Sequence, residues 1–117
     1  MRMHRAERLA EQIRIELGEL ISQEIRDPRV GLATVNRVEI SPDGRTAYVF
    51  ITVIGGEEEE KRSLRGIRHA LPYLRHCLAE ALSLHHVPEL FVDLDRATEA
   101  QERVEELLKR VKKRSED

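Results

Sequence analysis

The sequence has few of the residues that mark disulfide-stapled, zinc-binding or membrane proteins. Its 117 residues include a single cysteine, Cys77, which cannot form an internal disulfide and has no neighbouring cysteines to complete a zinc site. No apolar run approaches the roughly 20 residues that span a bilayer, and the start, MRMHRAERLAEQ, lacks the apolar stretch of a signal peptide. We therefore expect a cytoplasmic protein that has no membrane contact and is stabilised by packing.

Aromatic residues are also scarce, and this limits the kind of nucleic-acid-binding module that the chain can form. There is no tryptophan, and the aromatic side chains are Tyr48, Phe50, Tyr73 and Phe91. The sheets of RRM and OB-fold modules typically stack bases on aromatic side chains, so this composition disfavours both modules.

Length and composition indicate one globular domain. A chain of 117 residues leaves no room for a second core, and 40% hydrophobic with 36% charged residues is apolar enough to fold. We predict a single domain over residues 1–117, ordered from about residue 3 to about residue 111 and frayed over 112–117. The net charge is only -2, so a nucleic-acid hypothesis must depend on where the charges lie.

Hydrophobic periodicity predicts two flanking helices, a hairpin and a short strand. The helices cover residues 3–25 and 98–111, and the strands cover 32–40, 46–54 and 90–94. Ser-Pro-Asp-Gly at 41–44 has the residue order of a tight turn, and the alternation slips near Asn36, which indicates a bulge. The chain therefore begins with a helix followed by a β-hairpin.

A second helical region follows the hairpin and contains a proline. Four glutamates at 57–60 suit the positive end of a helix, and a leucine stripe continues to about residue 84. Pro72 falls inside this stripe, where a proline removes a hydrogen bond and clashes with the preceding turn. We expect a kink, or two helices meeting, near Ala70-Leu71-Pro72. The order α-β-β-α-kink-α-β with an additional C-terminal helix belongs to the α+β class.

Positive charge is concentrated beside this predicted bend. A helical projection places Arg62, Arg65, His69 and His76 on one stripe and Lys61, Arg68 and Arg75 on the adjacent stripe, both away from the leucines. Between Lys61 and His86, five Lys or Arg residues accompany one acid, Glu80. The pattern fits the solvated side of an amphipathic helix or a surface where arginines donate paired hydrogen bonds to phosphate. The pattern alone leaves both interpretations open.

No set of residues indicates catalysis. His85-His86 has no third metal ligand nearby in sequence, and Gly55-Gly56 lacks the lysine and spacing of a P-loop. Cys77 lies beside the leucine stripe and is interpreted as a packing residue. We therefore predict a protein that is not an enzyme and needs no metal or cofactor.

Several segments together resemble ribosome-binding factor A, a bacterial small-subunit assembly family. They are ERLAEQIRIELGELISQEIRDPRVG (7–31), VEISPDGRTAYVFITV (38–53), LRHCL (74–78), VPELFVDLD (87–95) and ERVEELL (102–108). The resemblance implies a KH-like fold of type II order. It also implies an Ala-x-Gly bend in place of the GXXG loop of other KH modules. Here the matching residues are Ala70-Leu71-Pro72, so proline stands where the family has glycine.

The resemblance further implies binding to small-subunit ribosomal RNA on free or immature small subunits, with a role in late rRNA processing and in growth at low temperature. We expect a monomer whose RNA contacts lie around the bend. The expected contact residues are Arg62, Arg65, Arg68, His69, Ala70, Pro72, Arg75 and His76, with Arg29 and Arg45 as weaker loop candidates.

An alternative hypothesis is a protein-interaction module. Such a module would dock on a ribosomal protein or another factor through a sheet edge, or through the acidic parts of the first and last helices, without touching RNA. The two hypotheses differ in salt dependence, because phosphate contacts weaken steeply with salt and mainly apolar protein contacts do not.

Overall fold

The computed structural model describes residues 5–23 and 32–96. Its elements in chain order are α1 (Arg5–Gln23), β1 (Ala33–Ile40), β2 (Thr46–Val53), α2 (Glu57–His69), α3 (Leu71–Ala81) and β3 (Glu89–Leu94). This order confirms the predicted α+β class and the arrangement of helices and strands. The predicted C-terminal helix and the loop that carries Arg29 lie outside the described residues, and the proposed extent of the domain stays a prediction.

The hairpin forms as the sequence predicts. β1 and β2 pair antiparallel, and their register shifts between Val35 and Arg37, which confirms the bulge expected near Asn36. At the turn, the Gly44 N–H donates to the Ser41 carbonyl at 2.8 Å, with Gly44 at φ +73°, a conformation that glycine adopts without strain. Short-range turn chemistry and alternation therefore account for this part of the fold.

β3 follows α3 in the chain and is the third strand of the described sheet. The strand order is β1-β2-β3, and β3 runs parallel to β2, with Val49 opposite Val92. A parallel neighbour requires a long crossover, which α2 and α3 provide. The crossover leaves β3 at the edge of the described sheet, beside α2.

The core lies between one face of the sheet and the helices. The residues with at most 1% exposure are Ile13, Leu17, Ala47, Val49, Ile51, Ser63, Ile67, Leu74 and Leu78. Within residues 5–23 and 32–96, no helix packs on the opposite face, where Tyr48 and Phe91 are about half exposed. In the same part of the chain, no helix has both the length and the apolar character needed to cross a membrane.

Candidate nucleic-acid interface

The bend predicted around Pro72 is a junction between two separate helices. Ala70 ends α2 and precedes α3, and its N–H donates to the Gly66 and Ile67 carbonyls at 3.2 and 3.0 Å. Pro72 lies in the first turn of α3. A proline there loses nothing by lacking an N–H, because the first N–H groups of a helix have no internal partner. Of the two forms left open by the sequence, two helices meeting is therefore the one observed.

The first turn of α2, the helix that carries most of the basic residues, is stabilised by Gly55, Gly56 and Glu59. Gly55 has φ +136°, and a Cβ atom added there would lie 2.7 Å from the Glu59 Cβ. The Glu59 carboxylate accepts a hydrogen bond from the Gly56 N–H at 2.9 Å. The four glutamates thus occupy the first turn, and the basic residues follow toward the negative end of the helix, where they are also electrostatically favoured.

Six of the predicted contact residues are exposed on α2 and α3. Ser63, Leu64, Gly66 and Ile67 are the buried residues of α2, so the residues between and after them face solvent. We call this surface the basic helix face, and it consists of Arg62, Arg65, Arg68, His69, Arg75 and His76, all exposed. All six are among the seven residues that the helical projection placed away from the leucines; the seventh is Lys61.

Two members of the basic helix face, Arg62 and Arg65, have their guanidinium groups available for a ligand. Among residues 5–23 and 32–96, neither side chain makes a hydrogen bond or an ion pair. By contrast, the exposed Lys61 lies 3.4 Å from the Glu57 carboxylate, and His76 lies 3.2 Å from Glu80, a pair that is ionic only when the histidine is protonated. Arg62 and Arg65 are thus the residues best suited to bind phosphate.

Arg68 and Arg75 contact the backbone of the chain that leads into and through β3. Arg68 donates from Nε and Nη2 to the Val92 carbonyl at 3.2 and 2.7 Å, and its Nη2 lies 3.9 Å from the Asp93 carboxylate. Arg75 donates from Nη2 to the Val87 carbonyl at 3.0 Å. These contacts hold the two helices against the sheet edge. Sequence reasoning missed them because helical periodicity does not show which strand lies opposite.

Replacing Arg68 with methionine is expected to lower the free energy of unfolding by about 1 kcal/mol, because the Val92 carbonyl loses a charged donor at the sheet edge. The measurement is urea unfolding. Arg65→Met is the matched control, and its expected change is below about 0.5 kcal/mol, as is usual at surface positions without such contacts. Equal effects of the two substitutions would show that the Val92 contact does not stabilise the fold.

Arg45 lies in the hairpin turn and shares a groove with Arg75 and His86. The Ser41 hydroxyl, 2.6 Å from the Asp43 carboxylate, lowers the pKa of Asp43, and the Arg45 N–H adds to this effect at 3.0 Å. The ionised Asp43 carboxylate, which interacts electrostatically with Arg45, competes with phosphate for the Arg45 guanidinium. Arg45 is therefore near the basic helix face but less suited to bind an anion than Arg62 or Arg65.

The basic helix face adjoins an open groove of about 600 Å³ at the β3 edge. Arg68 and Leu71 line it from the helices, and Tyr48, Phe91 and Asp93 line it from the strands. Sequence reasoning noted the scarcity of aromatic residues but missed that three of them share one sheet face. The alternation of Tyr48 and Phe50 with buried Ala47, Val49 and Ile51 contained that signal.

Comparison with known proteins identifies the family. The family model described as "Ribosome-binding factor A" matches residues 5–108. The chain belongs to the ribosome-binding factor A family. Ribosome-binding factor A of Koribacter versatilis is 46% identical over 95% of this chain and 90% of that protein. Ribosome-binding factor A of Thermomicrobium roseum is 41% identical over 95% of this chain and 86% of that protein.

Solved structures of ribosome-binding factor A agree with the fold. The crystal structure from Thermus thermophilus has a TM-score of 0.69 and 29% identity, and the alignment covers 80% of this chain and 99% of that chain. The solution structure of a Thermotoga maritima protein described as a putative ribosome-binding factor A also has a TM-score of 0.69, with 33% identity over 81% of this chain and 93% of that chain. A Thermus thermophilus homology model, with a TM-score of 0.65 and 32% identity over 78% of this chain and 96% of that chain, was fitted into the cryo-EM map of a complex between ribosome-binding factor A and the 30S subunit.

Replacing Pro72 with glycine, the residue that the family resemblance implies, is expected to lower stability by about 1 kcal/mol. Proline fixes φ in the first turn of α3 and restricts the unfolded chain, and glycine does neither. The melting temperature should fall by about 4 °C or more. Pro72→Ala provides the matched control, and its melting temperature should lie between those of the wild type and Pro72→Gly. A glycine variant that melts at or above the wild type would contradict this role of Pro72.

Proposed function

We propose that the chain is a ribosome assembly factor that binds small-subunit ribosomal RNA on free or immature small subunits. It assists late rRNA processing and maturation, including at low temperature, and catalyses no reaction of its own. It acts as a cytoplasmic monomer without a metal or cofactor. Family membership supports this proposal, as does the Thermus thermophilus relative that was fitted into a map of a 30S complex.

The observation that carries the RNA contact is the pair Arg62 and Arg65. Both are exposed on α2, one helical turn apart, and neither forms an ion pair or hydrogen bond within the described ranges 5–23 and 32–96. A guanidinium group presents planar donors that match phosphate oxygens in pairs. His69 at the end of α2 and Arg75 in α3 are also exposed, and we infer that the RNA backbone follows α2 toward α3.

The test is co-sedimentation of the purified protein with ribosomal particles at low and moderate salt. The proposal requires association with free small subunits, weaker association with assembled ribosomes, and release as salt rises. Absence from every ribosomal fraction at low salt would overturn it.

A groove between α1 and β1 favours the protein-interaction module as a second candidate function. Ile15 is 47% exposed there, and Gly18 has open space where a side chain would lie, beside Thr34 of β1. An extended peptide of a ribosomal protein could pair with this sheet edge. If binding to small subunits is insensitive to salt and is lost on Gly18→Leu, this second function replaces the first.

A further inference from the structure

The face of the sheet that the described helices leave open carries most of the aromatic side chains of this chain. We call it the outer sheet face. It includes Arg37 and Glu39 of β1, Tyr48 and Phe50 of β2, and Glu89, Phe91 and Asp93 of β3. The chain has two tyrosines, two phenylalanines and no tryptophan, so only Tyr73 lies elsewhere. This concentration at one surface requires an explanation.

The rings are arranged as a stacked pair beside a third ring that a cation covers. The Tyr48 and Phe91 centroids lie 5.9 Å apart with an interplanar angle of 27°, and the two side chains are 45% and 49% exposed. The Arg37 guanidinium carbon lies 3.9 Å above the centre of the Phe50 ring. The Arg37 guanidinium thus covers the Phe50 ring, whereas Tyr48 and Phe91 present aromatic surface to solvent.

Stabilisation of the sheet explains this arrangement only in part. A cross-strand aromatic pair stabilises neighbouring strands, but β-branched residues would do so with less apolar surface in water. The exposed rings are also bordered by polar side chains, which include Glu39 and Asp93. A protein-docking patch is usually a contiguous apolar area. Exposed flat rings with a polar border match the way in which nucleobases stack on a sheet.

Three carboxylates near the rings, those of Glu39, Asp93 and Asp95, each lie close to a guanidinium group. Arg37 pairs with Glu39, and its Nε lies 3.5 Å from Asp95. The Arg68 Nη2 lies 3.9 Å from the Asp93 carboxylate. This pairing reduces the repulsion that a phosphate backbone would meet. The same carboxylates can accept hydrogen bonds from the amino groups of bases.

We propose that Tyr48 and Phe91 form a stacking site for unpaired nucleobases, a second RNA contact in addition to the basic helix face. The proposal rests on the function proposed above, and it adds that the RNA has single-stranded bases. Arg68 connects the two contacts, since it belongs to the basic helix face and lines the groove that contains Tyr48 and Phe91. A strand bound by its phosphates along α2 therefore reaches the rings at the β3 edge.

The test compares two probes that have the same number of phosphates, a short single-stranded RNA and an abasic oligonucleotide of equal length. The wild-type chain is expected to bind the base-bearing strand about tenfold more tightly than the abasic strand. Tyr48→Leu/Phe91→Leu keeps apolar side chains but removes the aromatic rings. This double variant should lose the preference while its affinity for the abasic strand is unchanged.

Further variants distinguish a failure of the stacking site from a failure of the proposed RNA-binding function. Tyr73→Leu removes the exposed aromatic residue that lies off the outer sheet face, and it should retain the preference for bases. Arg62→Glu/Arg65→Glu should lower the affinity for both probes by the same factor. Wild-type protein that binds neither probe contradicts the proposed function itself. Wild-type protein that binds both equally, or a double variant that keeps the preference, overturns the stacking site alone.

A different result is expected if the rings of the outer sheet face serve packing and do not bind bases. If another part of the chain packs on Tyr48 and Phe91, the double variant should melt well below the wild type, with no change in its preference for bases. That outcome overturns the stacking proposal as well, because the rings would then serve packing.

Discussion

Reversing Arg62 and Arg65 to glutamate is expected to weaken binding to small-subunit RNA by about 100-fold at moderate salt. Each guanidinium that contacts a phosphate contributes about the free energy of one charged hydrogen bond, or roughly tenfold in affinity. The fold should be unaffected, because both side chains are exposed and make no hydrogen bond or ion pair within the described part of the chain. The measurement is a binding titration with a fragment of small-subunit RNA, supported by a melting curve.

The matched control for this reversal is Arg5→Glu/Arg8→Glu. These two arginines are exposed on α1 and do not belong to the basic helix face, and their reversal changes the net charge of the protein by the same amount. A small loss of affinity in the control reports the general effect of charge on association. If both double variants lose affinity equally, the basic helix face is no more than a solvated surface.

Replacing Leu74 with alanine is expected to lower the free energy of unfolding by about 3 kcal/mol. Leu74 is 0% exposed and lies in the first turns of α3, where its N–H donates to the Ala70 carbonyl at 2.9 Å. Truncation leaves a cavity at the point where both helices pack on the sheet, and such a site has little freedom to collapse. Loss of this magnitude is a large fraction of the stability of a small domain.

Urea unfolding measures this effect, and Leu32→Ala is the matched control. Leu32 is 72% exposed, so the same truncation there should change stability by less than about 0.5 kcal/mol. If Leu74→Ala proves as mild as Leu32→Ala, the helix junction is not packed as described.

Local patterns predict the elements of this fold better than the contacts between them. The turn at 41–44, the bulge near Asn36 and the apolar face of β2 each follow from a few neighbouring residues, and all three are observed. The parallel pairing of β2 with β3 depends on a crossover through two helices, which periodicity does not encode. Pro72 shows the same limit, because its effect depends on whether the helix begins before it or continues through it.

The candidate site divides in the same way. Helical projection predicted that Arg62, Arg65 and His69 lie away from the leucines, and all three are exposed, because exposure on a helix follows from its period. The pattern could not predict the hydrogen bonds of Arg68 and Arg75. Their acceptors are the carbonyls of Val92 and Val87, which lie far from them in sequence. Whether these arginines also bind RNA stays a prediction, and so does any role of Arg29, which lies outside the described residues.

The salt dependence of binding to free small subunits tests the central claim most directly. Log affinity of the wild type should fall linearly with log salt, and the slope for Arg62→Glu/Arg65→Glu should be shallower by about 1.5, the value for two lost phosphate contacts. A wild-type affinity that is independent of salt, or a variant with the same slope as the wild type, would contradict RNA binding through the basic helix face.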